Sequence, residues 1–277
     1  MNLEEVSAEP INRQQSVLAL MSRAYEFRQS GDLTAATQQL ELALAEARVS
    51  PYEIEFQTRI QLAMSLADLY QALDKVPTAC EMLREETQFA ERISQIMGST
   101  GTPSQKRAAT SGFLQVRDRA TQMALLGGEA PEISIPDWLR GGPASLSQLR
   151  GNVVLLEFWA TWCKPCQEMF PKLKKLHETE RQRGLEIIAL TRHYMAYGGT
   201  AESKTQERQL MLGMVTEHDV NFHVGIAADE GLQGMYGANG LPTLVLVDRN
   251  GIIRYVRPGE GDIMFNTELQ KALELTT

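Results

Sequence analysis

The chain has 277 residues, long for one domain and comfortable for two at about 100–200 residues per domain. Its 43% apolar and 22% charged residues suit a protein with a real core, and no apolar run approaches the roughly 20 residues of a bilayer span, which argues against a transmembrane helix. A formal net charge of −8 argues against a nucleic-acid partner, because phosphate binding rests on an excess of Lys and Arg, and three cysteines are too few for a disulfide-dense secreted scaffold.

The start, MNLEEVSAEPINRQQ, is acidic and polar, whereas a secretory leader has a basic start and an apolar stretch. The expected location is cytoplasmic as written, or extracytoplasmic (periplasmic) had a leader been removed. Up to about residue 127 apolar residues recur at spacings of three and four, a helical pattern. Leu20, Ala24 and Phe27 lie on one helix, Gly31 and Asp32 break it, and Ala36, Leu40 and Ala43 continue on a second. The grammar repeats with an offset of 43: Ala67, Tyr70, a break at Asp74 and Lys75, then Ala79 and Leu83. These small and large residues in register resemble the tetratricopeptide repeat, with Asp74 in place of the Gly and Glu86 in place of the last Ala of the second copy. A third helix, roughly 104–126, is expected as a cap. Such stacked helix pairs leave a concave face suited to protein docking. Cys80 falls on a small-residue face and reads as a buried packing thiol.

The Gly- and Pro-containing GGEAPE at 127–132 marks the expected boundary between a helical domain, 1–127, and a second domain, 128–277. From there strands alternate with helices. NVVLLEF (152–158) reads as a strand buried on both faces, LEIIAL as another, and Asn250-Gly251 as a hairpin turn between the last two strands. The final helix has Asn266 or Thr267 as candidate N-cap. The implied fold class is an α-helical N-terminal domain followed by an α/β domain, its sheet parallel in one half and antiparallel in the other, with helices on both faces.

Cys163 and Cys166 sit at the junction of the first such strand with its helix. Zinc would need four ligands, and neither Cys80 nor His177, His193, His218 and His223 supplies a second ligand pair with convincing spacing, so no metal is expected. A structural staple over so short a loop would restrain the unfolded chain little. Redox chemistry fits better. The helix N-terminus favours the Cys163 thiolate, Cys166 lies one turn on and can resolve a mixed disulfide, Lys164 adds a cation, and Pro165 suits the first turn.

The stretch VVLLEFWATWCKPCQEMFPKL, with Pro171 in the helix and GLPT downstream, resembles the thioredoxin family, and the lead-in from APEISIPDW resembles its TlpA-like branch. The resemblance implies a thioredoxin fold over residues 128–277 and a thiol–disulfide oxidoreductase. Cys163 would be the nucleophile and Cys166 the resolving residue of a redox disulfide. It also implies a cis bond before Pro242 facing the pair, with Leu241 and Thr243 as substrate-binding neighbours, and a proton-relay role for Glu157 behind Cys166. Glu157 is unusual in its own right, a carboxylate inside an apolar strand that is either catalytic or at an edge reaching solvent. Trp162 is expected to flank the disulfide as an apolar substrate platform, and Trp159 to be core. Met169 stands where TlpA-like relatives often carry an acid. No cofactor is implied, and the partners would be protein disulfides or dithiols and a redox donor. Two alternatives are a peroxiredoxin-like peroxidase, which needs a Thr where Ala160 stands, and a helical scaffold with a secondary redox site. The loop after the second strand, from Arg192, carries tyrosines that could choose substrates.

Overall fold

The computed structural model describes residues 12–142, 145–195, 198–259, 261 and 263–275. The chain divides into two compact units, Met1–Ala120 and Thr121–Thr277.

The first unit is helical among the described residues: α1 (Arg13–Gln29), α2 (Leu33–Val49), α3 (Phe56–Ala72), α4 (Val76–Thr100) and most of α5 (Pro103–Leu125). Helices α1 to α4 form successive hairpins, α1 packing on α2, α2 on α3 and α3 on α4. The first turn is left-handed at Gly31, and at the position 43 residues later Asp74 takes the same conformation, φ +57°; Asp is among the few non-glycine residues that tolerate it. Ala24, Ala36, Leu40 and Ala43 are buried, as are Ala67, Tyr70, Ala79 and Leu83. Phe27 departs from the pattern, being exposed where Tyr70 is buried with its hydroxyl donating to Glu41 at 2.8 Å.

Glu86, which breaks the small-residue pattern, is buried too, and its surroundings explain how. Its carboxylate accepts hydrogen bonds from Arg59 Nε at 2.6 Å and Nη2 at 3.1 Å, and from Arg48 Nε at 2.9 Å. A charge can be buried when it is paired and hydrogen-bonded in this way. Cys80 is half-buried, more accessible than a packing thiol at a core position would be, and burial still raises its pKa.

The second unit contains a six-stranded sheet: β1 (Asp137–Arg140), β2 (Val153–Phe158), β3 (Leu185–Arg192), β4 (His223–Ala227), β5 (Thr243–Val247) and β6 (Ile253–Pro258), in the order β1-β4-β3-β2-β5-β6. Strands β2, β3 and β4 are mutually parallel, while β5 and β6 add antiparallel on one side and β1 on the other. The helices are α6 (Lys164–Glu180), α7 (Ala201–Glu217), α8 (Gly231–Tyr236) and α9 (Ile263–Glu274). Strand β1 was not foreseen: four residues at a sheet edge carry too little alternation to be read from sequence. Helix α9 begins at Ile263, so the expected caps Asn266 and Thr267 lie inside it.

Every residue of β2 is buried because strands flank it on both sides and side chains cover both faces. Val153, Leu155 and Trp159 pack with Met169, Phe170 and Leu173 of α6, Met211 of α7 and Leu269 of α9. Val154, Leu156 and Phe158 pack on the opposite face with Leu232 and Tyr236 of α8. Strand alternation therefore assigns Glu157 to the α6 face.

The β5–β6 turn is organised by the buried Asp248, whose carboxylate accepts from Asn250 N at 2.9 Å, Ile252 N at 3.0 Å and Arg254 Nε at 2.7 Å. Replacing it with alanine strands those donors, and Asp248→Ala is expected to cost about 2 kcal/mol. The checking measurement is a urea titration in which the midpoint falls at constant slope; an unchanged midpoint would refute the assignment.

Candidate active site

Parallel pairing of β2 with β3 and antiparallel pairing with β5 bring the ends of three segments to one end of the sheet: the β2–α6 junction, the loop after β3 and the loop before β5. Cys163 is the N-cap of α6, with extended backbone, and its Sγ accepts from the Cys166 backbone N–H at 3.3 Å. The same N–H lies 3.1 Å from the Cys163 carbonyl, so the first turn of the helix shares this donor between backbone oxygen and sulfur. Cys163 and Cys166 form a disulfide, with Cα atoms 5.3 Å apart. Cys163 is 4% exposed and Cys166 fully buried, so Cys163 is the less buried of the two. Lys164 and Pro165 are exposed at the first turn.

Glu157 is 0% exposed, and neither carboxylate oxygen has a hydrogen-bond partner among the described groups. Burial pushes its pKa well above 4.5. It lies between Ala189 of β3 and Leu244 of β5, in the middle of the sheet, so the alternative of an edge carboxylate reaching solvent is set aside. Its alternation places it on the face that carries Cys163 and Cys166.

The Leu241–Pro242 peptide bond is cis. Pro242 is buried and its carbonyl accepts from Gly259 N at 2.8 Å, while Leu241 is partly buried against both layers of the core. Thr243, expected from the resemblance as a substrate-binding neighbour, is fully buried, its hydroxyl donating to the Gly240 carbonyl, which leaves its backbone for that role. Trp159 is core, edge-on to Phe170 at 5.0 Å. Trp162 is 60% exposed beside Cys163.

Sequence reasoning pointed to a tyrosine-bearing loop after β3 without saying which residue matters. The structure brings Tyr194 edge-on to Trp162, centroids 5.5 Å apart at 85°. Tyr197 lies outside the described residues. Burial holds the Tyr194 phenol above its ordinary 10.0, so it is a neutral hydroxyl at physiological pH. The only sequence signal for Tyr194 was its place two residues beyond a buried strand.

The family model of the AhpC/TSA family matches residues 126–256. Among curated relatives, the thiol-disulfide oxidoreductase ResA of Bacillus thuringiensis subsp. konkukian is 32% identical over 136 residues, covering 49% of this chain and 70% of that protein. A ResA from another Bacillus thuringiensis strain is 33% identical over 127 residues, covering 46% and 65%, so the chain spans about two thirds of the length of these relatives. The thioredoxin-like protein YneN of Bacillus subtilis is 29% identical over 149 residues, covering 54% and 79%. A solved thiol-disulfide isomerase from Corynebacterium glutamicum superposes at a TM-score of 0.46 with 23% identity, covering 54% of this chain and 98% of that one.

Proposed function

The chain belongs to the thioredoxin-like AhpC/TSA family, and from that membership we propose that it is a thiol–disulfide oxidoreductase acting on protein disulfides. The observation that carries the proposal is the Cys163–Cys166 disulfide at the start of α6, set over the face of the sheet that holds the buried, unpartnered Glu157. In the reducing direction the Cys163 thiolate attacks one sulfur of a substrate disulfide, the substrate S–S bond breaks, and a mixed disulfide and one substrate thiolate result. Cys166 gives its proton to the Glu157 carboxylate and attacks Cys163 Sγ, which releases the second substrate thiolate and restores the intramolecular disulfide. Proximity favours this step over attack by a free thiol. A donor dithiol must then reduce the pair, so a redox partner belongs to the cycle.

In this reading the substrate lies along Leu241 and the exposed Trp162, with Pro242 opposite the disulfide. Residues 1–127 form the docking part and 128–277 the redox part; the tetratricopeptide-like register of buried small residues supports that assignment. The peroxidase alternative gains no support here, because buried Ala160 offers no hydroxyl where one would be required. The test is insulin disulfide reduction with dithiothreitol as donor. The protein should accelerate it well beyond dithiothreitol alone; a rate equal to the uncatalysed one would overturn the proposal.

A further inference from the structure

The loop after β3 is held far more firmly than a solvated insert needs to be. Glu207 of α7 is 2% exposed, and one carboxylate oxygen accepts from Tyr194 N at 2.9 Å and Met195 N at 3.0 Å, while the other lies 3.2 Å from His193 Nδ1. The Tyr194 hydroxyl accepts from Gln233 Nε2, and Gln233, buried in α8, takes a 2.7 Å hydrogen bond from Arg192 Nε on its amide oxygen. The Arg192 guanidinium lies over the Tyr194 ring, 4.1 Å from its centroid. Backbone, hydroxyl and ring face of Tyr194 are thus each fixed by a different group, and its ring meets Trp162 edge-on.

This fixation serves an exposed apolar surface. Trp162, which precedes Cys163 in sequence and meets Tyr194 edge-on, and Met195, which follows Tyr194, are both more than half exposed, while Cys163 is almost buried. A substrate sulfur that reaches Cys163 approaches beside Trp162. Ordering the wall in advance removes an entropic cost that binding would otherwise carry, and burying an apolar group against it is favourable in proportion to the area removed from water.

We propose that Trp162, Tyr194 and Met195 form a preset apolar wall that selects polypeptide disulfides flanked by an aromatic or aliphatic side chain. Tyr194 is the specificity residue and Glu207 the positioning residue that anchors it. The inference rests on the oxidoreductase reading above and names its substrate class.

The test compares two disulfides, glutathione disulfide and a cystine-bridged peptide pair with Phe beside each Cys, using the full chain and its Tyr194→Ala and Glu207→Gln variants. Tyr194→Ala should lower kcat/KM on the Phe peptide about tenfold, mainly through KM, one side-chain contact being worth about a decade. Its loss on glutathione disulfide should be at least fivefold smaller. Glu207→Gln should show the same selectivity loss in weaker form, with Trp162 fluorescence altered in both variants. Equal losses on the two substrates, or losses confined to kcat, would overturn the wall. If the wild type turns over neither substrate faster than Cys163→Ser does, the oxidoreductase reading falls and the wall with it; turnover without selectivity sinks the wall alone.

Discussion

Cys163→Ser is expected to lower kcat/KM for insulin disulfide by at least about 10³-fold, while Cys166→Ser stops after the first step with a mixed disulfide in place. The asymmetry follows from burial and capping. Cys163 is the less buried of the two and its Sγ accepts from the Cys166 N–H at the start of α6. Serine at 163 retains a cap but its hydroxyl is a poor nucleophile at neutral pH. Serine at 166 leaves attack intact and removes the intramolecular route of release. Mass spectrometry after mixing with a disulfide peptide reads this directly: one peptide adduct per chain for Cys166→Ser and none for Cys163→Ser. The reverse pattern would exchange the two roles.

Glu157→Leu should make the protein more stable and less active at once. Leucine is close in size, and it removes a buried carboxyl with no hydrogen-bond partner among the described groups, which costs about 1–3 kcal/mol. At roughly 2–4 °C per kcal/mol for a domain of this size, melting should rise by roughly 2 to 12 °C at neutral pH. The sign with pH follows from the raised pKa. Above about 4.5 the unfolded chain releases this proton while the folded chain keeps it, so unfolding releases protons and the Glu157 contribution to stability falls as pH rises, levelling off above the folded pKa. The stability gain of the variant should therefore grow with pH from about 4.5 upward. Activity should move the other way, falling about 10²-fold through loss of a proton acceptor, and the wild-type rise in rate as Glu157 ionises should vanish from the pH profile. A less stable variant with an unchanged pH profile would refute both roles.

Much of this was legible in sequence because it is local. The periodicity of α1 to α4, the helix breaks at Gly31 and Asp74, the Asn250-Gly251 hairpin and the strand-to-helix setting of Cys163 are each decided within a few residues. Their conformational preferences do not depend on distant partners. The short edge strand β1 escaped because pairing with β4, and no alternation of its own, makes it a strand. Glu86 looked like a flaw in a small-residue register until Arg59 and Arg48, 27 and 38 residues away in sequence, were found on its carboxylate.

Sequence alone determined the helical and α/β halves and the setting of the cysteine pair at a strand-to-helix junction, since these follow from spacing and periodicity. The tertiary structure decided which polar residues are buried, and with what company. Glu157 became a central acid with no hydrogen-bond partner among the described residues only when β3 and β5 closed around β2, and the Thr243 side chain is buried in the same closure. Tyr194 gained fixed surroundings from Glu207, Gln233 and Trp162, which reach it from α7, α8 and the β2–α6 junction. Desolvation and hydrogen-bond partnership are properties of an assembled surrounding, and no single segment carries them.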